Sequence, residues 1–193
     1  MSAAQAARLR AALLDPAQAV AIEVAGSATA AVLVPVFERS GELVAVFIKR
    51  HSNLRLHAGQ ISFPGGRRDP DDADLAATAL REAHEEVGLD PAAVTLVGAL
   101  APTPTVVTDI AIHPFVGLIA PPTAGWTIAP AEVEAVLEAS LGELAATHRM
   151  QTFERNGRRA RTDAYTIGRE TIWGATGRIL TDLLRRLEIL PGS

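Results

Sequence analysis

The run Arg81-Glu82-Ala83-His84-Glu85-Glu86-Val87-Gly88-Leu89 sets three carboxylates at positions 82, 85 and 86. On a helix, positions i, i+3 and i+4 share one face, and like charges there weaken an isolated helix by about 0.2–0.5 kcal/mol per pair. A divalent cation would reverse that repulsion. Oxygen-only ligation suits Mg2+ or Mn2+, which could bridge Glu82, Glu85 and Glu86 to substrate phosphates and activate a water. Arg81, four residues before Glu85, can hold that carboxylate in a charge-assisted hydrogen bond, fixing the ligand rather than touching the substrate. The ordinary reading of a Glu-rich patch is a solvated helix face. The spacing alone leaves both readings open.

These acids need a helix, and the sequence supplies one. Asp72 or Asp74 can cap it, Leu75, Thr78, Ala79, Ala83 and Val87 form an apolar set at helical spacing, and Gly88 can end it. Upstream, residues 29–37 and 42–49 read as strands joined by Glu38-Arg39-Ser40-Gly41, which favours a hairpin. Residues 50–72 read as a long loop, with Phe63-Pro64-Gly65-Gly66 and Asp69-Pro70-Asp71-Asp72 as turn formers. Downstream, 94–101 and 110–119 read as strands, and Pro114 suggests an edge or a bulge. Residues 132–141 fit a strand or a helix, since Val133, Val136 and Leu137 have helical spacing while the flanking context suits a sheet, and strand then short helix is favoured. Residues 150–153 and 160–167 flank Asn156-Gly157, a strong hairpin-turn signal, and a final helix spans about 174–187. The first fourteen residues read as a short amphipathic helix rather than a transit peptide. The pattern is a mixed α/β layer structure. It is read as one unit over 1–193, with 1–27 a helical extension and 28–188 the core.

Composition narrows the chemistry. The 193 residues are 48% hydrophobic and 21% charged, as in a globular chain, and the net charge of −4 gives no positive field for nucleic acid or an anionic membrane. There is no cysteine, which excludes thiolate ligands and a cysteine nucleophile. No apolar run approaches the roughly 18 residues of a membrane span. The expected location is cytoplasmic and the expected partner a small nucleotide. A homodimer is left open.

Gly66, Asp72 and the run from Arg81 to Leu89 together resemble the signature of the Nudix hydrolases. That resemblance implies a Nudix fold, α/β with a mixed β-sheet sandwiched between α-helices, and cation-assisted hydrolysis of a diphosphate bond. By resemblance the metal falls on Glu82, Glu85 and Glu86, and the catalytic set is Glu86, Glu85 and Arg81. Glu132 or Asp109 is a further candidate for accepting the proton. Two departures stand in the loop half: Asp72 replaces the usual Glu, and one residue is added between it and Arg81.

Further upstream, Arg50, Arg55, Gly59 and Phe63-Pro64-Gly65-Gly66 resemble the extra motif of the Nudix coenzyme A diphosphatases, with His51 where Ser or Ala is usual. That subfamily tolerates both departures. The resemblance implies cleavage of coenzyme A or acyl-CoA to 3′,5′-ADP and 4′-phosphopantetheine, with Arg50, Arg55, Gly65 and Gly66 binding substrate. Two guanidiniums could grip the charges of the ribose 3′-phosphate. ADP-ribose, a dinucleoside polyphosphate or a nucleoside triphosphate are rival substrates. A non-catalytic nucleotide sensor is the rival of another class. His57 and His84 are given no ligand role. Residues 130–133 and 172–180 also look like subfamily features, with Trp173 read as a packing anchor for the last helix rather than an adenine platform.

Overall fold

The computed structural model describes residues 1–54, 57–105, 109–155 and 158–191. Helix α1 (Ala3–Ala12) is capped by Ser2, and the short α2 (Pro16–Val20) starts at Asp15. Strands β1 (Ala28–Arg39) and β2 (Glu42–Arg50) form an antiparallel hairpin with Arg39 opposite Glu42. Only Ser40 and Gly41 turn it, both at positive φ (54° and 84°), the handedness that matches strand twist. The connection is therefore two residues rather than the four expected.

The stretch 50–72 is not one loop. It holds β3 (Ile61–Ser62), paired with β2, and β4 (Gly65–Arg67), paired with β1. Missing side chains allow this pairing: a Cβ on Gly65 would stand 2.4 Å from the Ala31 carbonyl oxygen. Helix α3 (Leu75–Val87) is capped by Asp74, whose carboxylate accepts from the Ala77 amide at 2.8 Å, and ends at Gly88 in the left-handed region. Such a cap is worth about 1 kcal/mol. A 3-10 turn (Pro91–Ala93) leads to β5 (Thr95–Ala99), β6 (Thr103–Pro104) and β7 (Ile110–Leu118). Then come β8 (Val133–Ser140), which takes nearly all of the stretch read as strand then short helix, and α4 (Leu141–Ala146), which starts at its last residue. Strands β9 (Arg149–Arg155), β10 (Arg158–Ile167) and β11 (Glu170–Ile172) precede α5 (Gly174–Arg186). The Asn156-Gly157 turn lies outside the described residues; β11 was not anticipated.

The main sheet runs β3-β2-β1-β7-β5, with β8 on β2, β4 on β1 and β6 on β7. Strands β1 and β7 are parallel and the other pairs antiparallel, so the sheet is mixed. Pro114 does not mark an edge, because β7 lies between β1 and the β5 and β6 pair. Its carbonyl accepts from the Leu100 amide at 3.0 Å, on the side where the ladder breaks between β5 and β6. The donor that proline lacks falls in that break.

Alternation along β1 separates two cores. Val34 and Val36, with Leu43, Ala45 and Phe47 of β2, face Leu9 of α1, Leu144 of α4 and Leu180 and Leu183 of α5. Ala31 and Leu33 face Leu75, Ala79 and Ala83 of α3. Helices thus cover both faces of the mixed sheet, the expected α/β architecture. Among the described residues no helix is long and apolar enough to cross a membrane.

Candidate active site

Glu86 lies on the face of α3 that also buries Ala79 and Ala83, and only 2% of its surface is exposed. Its Oε2 accepts the Gly65 amide at 2.9 Å, and its Oε1 lies 3.4 Å from Arg50 Nη1. Burial dominates its electrostatics and lifts the carboxyl to about 7. The Gly65 amide and Arg50 oppose that rise, while Glu82 and Glu132 add to it. One turn earlier, Glu82 packs on Gly66, where a Cβ would stand 2.4 Å from its carboxylate. Burial raises Glu82 as well, against the pull of Arg81.

The third carboxylate sits apart. Glu85 is exposed, with Oε2 3.1 Å from Arg81 Nη1. Adjacent helical positions differ by about 100° of rotation, so 85 and 86 diverge although both neighbour 82. Among the described residues no three acidic or histidine side chains are gathered into a ready metal cage. Buried Glu86 and half-buried Glu82 nevertheless offer two carboxylates on one cleft, both made costlier to ionise by burial. This all-oxygen set fits a hard divalent ion, whose charge would offset the cost of ionising both.

Arg81 holds more than the one carboxylate anticipated. Its Nη1 also reaches Glu82 Oε1 at 3.0 Å, and its Nε and Nη2 grip both oxygens of Asp72 at 2.9 and 3.1 Å. Asp72 further accepts from the Asp69 amide at 2.9 Å and the Thr78 hydroxyl at 2.8 Å. The guanidinium holds the Asp72 carboxyl far below the usual range. Asp72 is therefore the anchor of Arg81 rather than the helix cap. The shorter acid and the added loop residue end in a bidentate pair.

The cleft measures about 590 Å³ and extends from Glu82, Glu86 and Glu132 to Phe153 and Trp173. Arg50, Gly65 and Gly66 line it too. Arg50 Nε is buried and has no partner among the described residues. The motif loop leaves and returns at this arginine, whose amide donates to the Gln60 carbonyl and whose carbonyl accepts from Gly59. Arg55 lies outside the described residues. Glu132 is drawn in because its carbonyl accepts the His51 amide at 2.8 Å. Asp109 is exposed and accepts from the Ser27 amide, away from the cleft lining. His57 lines the cleft with Nδ1 2.7 Å from Gln60 Oε1, and His84 is exposed.

Trp173 does pack, stacking on Phe153 with ring centroids 4.3 Å apart and planes 11° from parallel, yet it also lines the cleft. Phe153, Thr162 and Arg178 complete that wall and carry no spacing signal in the sequence, since β9, β10 and α5 bring them together only on folding.

The NUDIX domain model matches residues 27–158. The uncharacterized Nudix hydrolase NudL of Salmonella paratyphi B is 39% identical over 166 residues, covering 84% of this chain and 84% of the relative. NudL of Salmonella newport matches to the same extent. A MutT/nudix family protein from Enterococcus faecalis has a similar fold, with a TM-score of 0.57 at 13% identity over 97% of this chain and 75% of that one. RenU, a Nudix hydrolase of M. smegmatis, aligns with a TM-score of 0.52 at 19% identity, over 63% of this chain and 75% of that one. Fold and relatives together define a hydrolase acting on diphosphate bonds. The chain belongs to the Nudix family, whose hydrolases generally use divalent ions such as Mg2+ or Mn2+.

Proposed function

We propose that this Nudix hydrolase cleaves the diphosphate bond of coenzyme A or acyl-CoA, giving 3′,5′-ADP and 4′-phosphopantetheine. The observation that carries the reading is the convergence of the upstream motif on the carboxylates: Arg50, Gly65 and Gly66 line the same cleft as Glu82 and Glu86. Glu82 and Glu86 are the cleft-lining ligands for the cation, and Glu85 joins them by turning from Arg81. When bound, Mg2+ or Mn2+ supplies the charge that polarises the diphosphate and makes water a usable nucleophile.

The protein groups do the rest. Arg50 lines the cleft with Nη1 3.4 Å from Glu86 Oε1, and its guanidinium suits phosphate oxygens. Glu86 is the candidate to accept the water's proton, with Glu132, which lines the same cleft, as the second acceptor. Arg81 is a positioning residue, tying Glu82 and Glu85 to Asp72. Arg55 supplies a second cation for the ribose 3′-phosphate.

Incubation with magnesium and, in parallel, coenzyme A, dephospho-coenzyme A, ADP-ribose, diadenosine tetraphosphate and a nucleoside triphosphate tests this, with products weighed by mass spectrometry. Coenzyme A is expected to give the highest kcat/KM. Arg55→Ala should slow coenzyme A at least tenfold more than dephospho-coenzyme A. Preference for another substrate in the panel would overturn the assignment.

A further inference from the structure

The cleft has a second pole, and its chemistry differs from that of the carboxylates. Phe153 of β9 and Trp173 at the start of α5 present a stacked, half-exposed aromatic pair. Beside them Thr162 of β10 is 8% exposed, and its Oγ1 has no hydrogen-bond partner among the described residues. Arg178 lines the same wall and donates to the Pro104 carbonyl. Burial lowers its pKa. The carboxylate that offsets this, Asp163, is itself held by His148 Nε2 at 2.8 Å. The first turn of α5 adds the amides of Gly174, Ala175 and Thr176, and Trp173 offers no side-chain cap to them. A helix start without a capping side chain, next to a guanidinium that has no ion pair among the described residues, attracts an anion.

These groups sit on a rigid support. Gly177 lets α5 press against β10, where a Cβ would lie 2.6 Å from the Asp163 carbonyl oxygen. Tyr165 and Thr181 bridge the same interface through a 2.6 Å hydrogen bond, and Thr181 donates to the Gly177 carbonyl. The wall is built to hold its shape.

We propose that this wall is the subsite for the phosphorylated nucleoside half of the substrate: the base stacks on the Phe153–Trp173 pair, Thr162 Oγ1 bonds to the nucleoside, and Arg178 with the first amides of α5 takes the phosphate on its ribose. The inference rests on the coenzyme A reading and gives the 3′-phosphate a cation besides Arg55. The opposite placement, with the pantetheine arm here, leaves the cation and the helix start without a counter-charge, because that arm is uncharged beyond its own phosphate. A planar base also uses both the area and the flatness of the aromatic pair.

The test is a binding titration in EDTA on the Trp126→Phe protein, in which Trp173 is the sole remaining tryptophan of two. Adenosine 3′,5′-bisphosphate is expected to quench Trp173 emission saturably. Adenosine 5′-monophosphate should do so at least tenfold more weakly, and 4′-phosphopantetheine should leave the emission unchanged. Arg178→Gln should bring the bisphosphate to the affinity of the monophosphate without altering the latter. Quenching by 4′-phosphopantetheine, or equal affinity for the two adenosine phosphates in the protein with Arg178 intact, overturns the proposal without reliance on the Arg178 variant. The two readings fail separately: uncleaved coenzyme A with a quenching bisphosphate removes the substrate assignment and keeps the subsite. Cleaved coenzyme A with unquenched Trp173 does the reverse.

Discussion

Glu86 is a carboxyl that the fold desolvates and only partly compensates, with one amide and a 3.4 Å guanidinium as its partners. Replacing it by Gln keeps an acceptor for the Gly65 amide and removes a buried charge, so the fold should survive. Glu86→Gln is expected to keep its thermal midpoint within a few degrees and to lose at least ~100-fold in kcat, the scale of a lost general base or metal ligand. Steady-state kinetics beside a melting curve checks both, and wild-type turnover would remove Glu86 from the chemistry. The neighbouring glycines separate structure from function in another way. A Cβ at 66 meets the movable end of Glu82, whereas a Cβ at 65 meets the β1 backbone at 2.4 Å. Gly66→Ala should therefore fold but bind manganese about 10–100-fold more weakly, by displacing a ligand. Gly65→Ala should lose about 2 kcal/mol or more of stability, because backbone cannot step aside. Metal titration and denaturant unfolding of the pair distinguish the two effects.

At the scale of elements, α3 was legible because its signals are local: a cap, a helical apolar repeat and a terminating glycine all lie within fifteen or so residues of chain. Strands β3 and β4 were not, since turn-forming residues there are overridden by pairing with β1 and β2 that the local sequence does not announce. The edge reading of Pro114 failed for the same reason, because its missing donor is harmless where the distant β5–β6 break in the ladder faces it. Strand β7 also carries a pH dependence. His113 is buried, and burial lowers its pKa below the ordinary 6.5. The folded state favours the neutral ring, so its contribution is complete above pH 6.5 and is lost as pH falls below it, at up to about 1.4 kcal/mol per pH unit. The raised Glu86 carboxyl works in the opposite sense over the same range, so between pH 7.5 and 5 the urea midpoint of the wild type should drop relative to that of His113→Leu, in which only the Glu86 contribution remains. An unchanged slope would assign acid sensitivity to other groups.

Across the whole molecule, two helical layers and a mixed sheet hold opposite walls of one cleft, α3 from one side of the sheet and the β9 to β11 sheet with α5 from the other. A cation bound only by the folded arrangement should stabilise the whole chain. At a hundred times its dissociation constant, magnesium is expected to add about 2.7 kcal/mol, or roughly 5–10 °C in Tm for a chain of this size. Differential scanning fluorimetry with and without EDTA reads this directly, and no shift at saturating metal would deny the site a structural cation. The acids at 82, 85 and 86, the guanidinium at 81 and the helix carrying them were determined by the sequence alone, because helical spacing is a short-range property and the family signature is contiguous. Which acids face the cleft was decided by packing. Rotation about α3 buries Glu86 and turns Glu85 to solvent, and only the sheet behind the helix sets that angle. The partner of Arg81, the approach of Glu132, and the wall of Phe153, Thr162, Trp173 and Arg178 belong to tertiary structure too. Asp72 reaches Arg81 from nine residues upstream across a loop, the others join segments farther apart, and no local periodicity encodes contacts that form only once the core has closed.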